Sequence, residues 1–182
     1  MKINWRMAWI ALLLSAGTSP VFGQWSGGWI DAAPSQGLVA PDLTQAIWIW
    51  NREPGVNLTL NAPPGPSYLR ETIVLPADAR IETAMARFTA DDSFTLWING
   101  TQVESGTSWN TVQMADVTAL LRPGRNVLAV QAVNAPPIGP ANAAGLIGAV
   151  TIKLNGEASR TYWTGTDWKA AASAASGWQA PE

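Results

Sequence analysis

The 182-residue sequence predicts an all-β fold, a two-sheet sandwich of about eight or nine short strands. Three observations predict it. Apolar and polar residues alternate over short runs, turn residues separate those runs, and no stretch keeps a helical apolar stripe for three turns. The length suits one domain with its own core. Hydrophobic residues make up 47% and charged residues 13%, which excludes a disordered polar chain.

The elements follow in order. "AIWIW", Ala46–Trp50, reads as the first strand, with Ile47 and Ile49 on one face and Trp48 and Trp50 on the other. The prolines of "APPGP" force a loop, because they cannot donate to a ladder. "YLRETIVL" is the next strand and stops at Pro76. In "IETAMARFTA" the residues Ala84, Ala86, Phe88 and Ala90 share the core side, opposite Arg87 and Thr89. "SFTLWIN" places Phe94, Leu96 and Ile98 inward and Thr95 and Trp97 outward. The two residues between these runs, Asp91 and Asp92, read as a hairpin connection.

Asn99-Gly100 supplies the positive-φ pair of a tight turn into "TQVES". "DVTALL" reads as one capped helical turn, with the Asp116 carboxylate accepting from the N–H of Thr118 or Ala119. "RPGR" turns the chain into "NVLAVQAVN", a nearly continuous apolar strand and hence buried on both sides. After the loop "APPIGPANAAG" come the strands "LIGAVTIKL" and "RTYWT". "WKAAASAASGW" has some helical propensity, weakened by Ser173 and Ser176.

Met1–Gly23 reads as a signal peptide: Lys2 and Arg6 precede the short apolar run "MAWIALLLSA", and Val21 and Gly23 stand at the cleavage positions. That run is too short to span a bilayer comfortably, so the expectation is a secreted or periplasmic protein, without a membrane anchor after cleavage. Residues 24–45 read as a leader, 46–178 as the sandwich and 179–182 as a tail that is a possible truncated continuation. Without the signal, nine basic residues face thirteen acidic ones, a net charge of −4. Nothing there favours nucleic acid as a partner. The chain has no cysteine and no histidine, so disulfides, Ser-His-Asp and Cys-His chemistry are excluded.

The ordered phrases "AIWIW", "ADDSFTLWING", "DVTALLRPGRNVLAVQAVN", "AGLIGAVTIKL" and "YWTGTDWKAA" resemble a known family. They are similar to the galactose-binding-like jelly roll that precedes the catalytic barrel of bacterial alpha-L-rhamnosidases, and to the sugar-binding domains of beta-galactosidase-type hydrolases. The resemblance covers Ala46 to about Trp178. It implies a non-catalytic carbohydrate-binding or accessory module, partnered by carbohydrate or by a neighbouring glycoside-hydrolase domain. Catalysis in those hydrolases belongs to another domain, so no enzyme activity is expected of this one. The alternative is a structural subunit or interdomain spacer that self-associates through exposed tryptophans.

Asp91 and Asp92 carry three open readings. They shape a turn, they hold a structural Ca²⁺ with loop carbonyls, or one of them bonds a sugar directly. The adjacent pair is also similar to the calcium-and-sugar site of PA14-type adhesin domains. Adjacent carboxylates cannot straddle a glycoside for hydrolysis, and pairing Asp92 with Glu104 or Asp116 has no support in the spacing. Of the eleven tryptophans, Trp48, Trp50 and Trp163 are expected in the core. Trp97 points outward, and Trp109 lies on the small polar loop "SGTSWNT" beside Asn110 and Thr111. Ligand-binding candidates are therefore Trp97, Trp109, Asn110 and Asp92, with Asp91 and Asp92 as possible Ca²⁺ ligands. Trp25 and Trp29 flank a Gly-Gly pair that could plug a groove.

Overall fold

The structure, a computed structural model, describes residues 38–52 and 54–180. The expected signal peptide, most of the leader, Trp25 and Trp29 lie outside the described residues. Those residues form nine strands: β1 (Gly65–Leu75), β2 (Ile81–Asp91), β3 (Ser93–Ile98), β4 (Thr101–Gly106), β5 (Gln113–Asp116), β6 (Gly124–Asn134), β7 (Gly145–Leu154), β8 (Arg160–Trp163) and β9 (Lys169–Ala171). A 3-10 turn, Thr118–Leu120, links β5 to β6. One sheet has the order β4-β3-β6-β1-β9, the other β5-β2-β7-β8, and every pairing of named strands is antiparallel. The predicted two-sheet sandwich is what forms. No helix among the described residues is long and apolar enough to cross a membrane.

The core lies between the inner faces. Ala84, Ala86, Phe88 and Ala90 of β2 and Phe94, Leu96 and Ile98 of β3 are all buried, as alternation requires. β6 is central in its sheet, and Val127, Leu128, Ala129 and Val130 are inaccessible in succession. Two inner glycines make room for aromatic rings on the facing strand. Gly148 pairs with Phe88 and Gly106 with Phe94, and a Cβ at Gly106 would lie 2.6 Å from the Phe94 ring.

The tight turn, the bond from Thr118 to Asp116 and the "RPGR" turn form as expected, although the N-cap of the 3-10 turn is Val117, which makes no side-chain cap bond. Asn99 has φ 52° and Gly100 φ 86°, Asp116 Oδ1 accepts from Thr118 N at 2.9 Å, and Gly124 has φ 76°. A buried Asn126 ties these three features together. Its carboxamide oxygen accepts from Asn99 Nδ2 and Arg122 N, both at 2.9 Å, and its Nδ2 donates to Arg122 O and Gly124 O. Asn99 in turn donates to Leu120 O and accepts from Val127 N.

Three expectations need correction. Ala46–Trp50 is no full strand: it meets the sheet through a single bridge, Ile49 to Leu146, beyond the end of β8. Asp91-Asp92 is no hairpin, because β2 and β3 lie in different sheets and the pair is the corner between them. Trp48, Trp50 and Trp163 are only half-buried, and no tryptophan among the described residues belongs to the fully buried core. "WKAAASAASGW", whose helical propensity is weak, yields the short strand β9, paired with Tyr68–Arg70, followed by turns.

Candidate functional site

The Asp91–Asp92 corner is built from both sheets. Asp91 ends β2 and faces Gly145 of β7 in register. Asp92 then turns toward the other sheet, donating its N–H to Val133 O at 3.0 Å and accepting from Ala135 N on Oδ2 at 2.7 Å. Burial raises the Asp91 carboxyl to about 6, and the negative charge of Asp92 and a hydrogen bond to it act in the same direction. A carboxyl group thus titrates near neutrality at the rim of the sandwich.

Trp48 sits beside it. A Cβ placed on Gly145 would lie 2.7 Å from the Trp48 indole, so that ring covers the glycine. Cross-strand partners project to the same side, which puts Asp91 on the indole's face of the sheet. Thr89 projects to this outer face as well, two residues before Asp91. Its hydroxyl bonds Ser108 O at 2.9 Å and Trp109 O at 3.1 Å, which fixes the Trp109 loop over the same face. Trp109 is 47% exposed, and Asn110 Oδ1 accepts from Ser108 Oγ at 2.6 Å.

Sequence-predicted residues therefore divide. Asp91, Trp109 and Asn110 belong to one end and one outer face, and Asp92 stands at the same end, turned toward the other sheet. Trp97 does not. It lies on the outer face of the other sheet, 5.6 Å from the ring of Trp178, which is itself 5.2 Å from Tyr68. Arg70 donates to Ala180 O at 3.1 Å, so the chain's own last described residues cover Trp97. Asp92 is also separated from the other acids proposed for it. Asp116 pairs with Met85, six residues back along β2 from Asp91, a separation of about 20 Å. Glu104 pairs with Leu96 and accepts from Ser105 N. No pair of facing carboxylates emerges from these residues.

The corner suits a hard cation in part. Two adjacent carboxyl groups repel each other, and a divalent ion would relieve that repulsion. Among the described residues no third Asp, Glu, His or Cys joins them. Further ligands would have to be carbonyl, water or ligand oxygens. Sequence reading missed Trp48, which it placed in the core. Gly145 and Gly148 within "GLIGAV" were the available signal, since glycine inside a strand marks close approach by another group.

No family model and no curated protein matches the chain. Solved structures do. A Streptomyces avermitilis alpha-L-rhamnosidase complexed with L-rhamnose superposes with TM-score 0.69 and 27% identity over 79% of this chain and 14% of its own. A Pleurotus ostreatus lectin in complex with GalNAc gives 0.64 and 29%, over 79% of this chain and 41% of its own. A GH78 family rhamnosidase of Bacillus sp. GL1 gives 0.55 and 27%, over 72% and 14%. This chain thus spans about a seventh of each rhamnosidase and two fifths of the lectin. The fold is the galactose-binding-like sandwich seen in rhamnosidase modules, and its neighbours include a sugar-binding lectin.

Proposed function

We propose that this sandwich is an exported, non-catalytic carbohydrate-binding module, and that it binds sugar at the Asp91–Asp92 corner. One observation carries the reading: two adjacent carboxyl groups, Asp91 and Asp92, lie beside an indole, Trp48, at the rim of one sheet. Such a combination supplies what a pyranose needs, a flat apolar surface for its C–H face and acceptors for its hydroxyl groups. The likeness to a lectin with GalNAc and to a rhamnosidase with L-rhamnose supports the same class of ligand.

In this reading Asp91 and Asp92 hold Ca²⁺, and sugar hydroxyls complete its oxygen shell. Trp48 and Trp109 flank the ion, with Asn110 on the Trp109 loop. Export follows from Met1–Gly23 acting as a signal peptide. Outside the cell, millimolar Ca²⁺ keeps such a weak two-carboxylate site occupied. The partner is then a glycan, or a glycoside-hydrolase domain whose substrate the module holds.

Calorimetric titration with L-rhamnose and with GalNAc, in Ca²⁺ and then in chelator, tests this. Binding in Ca²⁺ that chelator and Asp92→Asn each abolish is the expected result. Heats indistinguishable from dilution for both sugars and for a glycan array would overturn it.

A further inference from the structure

A cleft of about 790 Å³ opens between the 46–59 segment and the connection from β8 to β9. Its volume falls in the range typical of small-ligand pockets. Trp48, Trp50 and Trp168 line it, and Arg52 is the only charged side chain among its described lining residues. Arg52 is exposed and makes no ion pair among the described residues. The neighbouring polar wall is already satisfied: Asn57 Oδ1 accepts from both Thr59 N and Thr59 Oγ1. The cleft therefore offers three indoles, one guanidinium with unused donors and no described carboxylate.

That chemistry selects among ligands. Indole faces take the C–H side of a pyranose, and a planar guanidinium takes a carboxylate in bidentate fashion. A cationic ligand meets the like charge of Arg52 there, with no described carboxylate to offset it. We propose that this cleft is a second glycan subsite, selective for a carboxylate-bearing pyranose of the uronic acid class. This rests on the reading of the module as a glycan binder, but not on the Asp91–Asp92 corner. Trp48 lines the cleft and also covers Gly145 opposite Asp91, so the two subsites share a wall. One oligosaccharide with neutral and acidic residues can span both.

The test follows the tryptophan indole N–H signals of the purified protein by NMR during titration with trigalacturonate, galactotriose and triglutamate. Chelator is present throughout, to silence the corner. Trigalacturonate is expected to shift the Trp48, Trp50 and Trp168 signals and to bind about fivefold more tightly than galactotriose, the upper end for an exposed ion pair. Arg52→Gln removes that preference, Arg52→Lys keeps part of it, and high salt weakens it. Because Arg52 is exposed, both variants fold. Equal affinity for the neutral trisaccharide, tighter binding of triglutamate, shifts confined to Trp97, Trp109 or Trp178, or no shift at millimolar sugar would each overturn the proposal. Uronate binding that survives chelator while neutral sugars fail in Ca²⁺ would overturn the corner and leave this cleft standing.

Discussion

The side chain of Asn99 donates to the side-chain oxygen of Asn126 at 2.9 Å, and through it the β3–β4 turn is tied to the turn that starts β6. Asn126 is fully buried, and every polar atom of its carboxamide is used. Asn126→Ala leaves two donors and two carbonyls without this partner. A loss of about 2–4 kcal/mol in urea denaturation is expected, at roughly 1–3 kcal/mol for each group left unsatisfied and partial relaxation. Asn126→Ala with wild-type stability would show that water replaces the side chain at no cost.

Asp91 gives stability a pH dependence whose sign is unusual for a carboxylate. Its folded value, about 6, lies above its ordinary one, so the folded protein holds a proton that the unfolded chain has released. Stability from this group is fullest near pH 4 and falls as pH rises through 6. Glu71 is also raised by burial and contributes in the same direction. Asp91→Asn is expected to raise the melting temperature at pH 7 and to flatten the profile between pH 4 and 6. A wild-type profile that rises across that interval contradicts the assignment.

In the proposed function, Ca²⁺ bound at the corner reverses the penalty that Asp91 carries. Millimolar Ca²⁺ should raise the melting temperature at pH 7 by a few degrees and do less at pH 5, where protons compete for the same oxygens. Chelator should lower it again. Asp91→Asn and Asp92→Asn should each erase the difference, while Glu104→Gln should not. Identical melts with and without chelator end the calcium reading.

Gly148 faces Phe88 across β2 and β7, and a Cβ there would overlap the phenyl ring. The ring is buried and is flanked by the rings of Phe94 and Trp168. Gly148→Ala should therefore cost about 1–3 kcal/mol by overpacking. Gly145→Ala displaces the half-buried Trp48 instead, so it should cost less stability and more sugar affinity. Parallel denaturation and titration of the two variants checks that contrast.

Trp178 makes edge-on contacts with both Tyr68 and Trp97. Trp178→Ala is expected to cost about 1–2 kcal/mol and to red-shift tryptophan emission as Trp97 meets water. Sedimentation of this variant also tests self-association, since it bares the surface on which a Trp97-mediated contact would form. A variant that stays monomeric removes that role from Trp97.

Much of the fold was legible because strand alternation is a local signal. Phe88, Phe94, Leu96 and Ile98 fell on the correct side from spacing alone, and the Asn99-Gly100 turn from two residues. What failed required knowing partners. Ala90 and Phe94 fall on the core side in either geometry, with three polar residues between them, yet β2 pairs with β5 and β7 while β3 pairs with β4 and β6. Nothing local separates a hairpin from a sheet-to-sheet corner. Trp48 was missed for the same reason, since its place depends on Gly145, almost a hundred residues away in sequence. Trp97 was correctly placed on an outer face, but its cover by Trp178 is a return of the chain that periodicity cannot anticipate.

β1 lies between β6 and β9, so its long partner arrives only when Gly124–Asn134 has been made, and Gly65 waits for Asn134 itself. β1 must stay unpaired until that central piece emerges, and the loop to be closed is long, so its entropy is spent before any contact rewards it. Such a chain acquires its shape late and as a unit. In the proposed export of this chain, that delay would leave it threadable through a translocation channel.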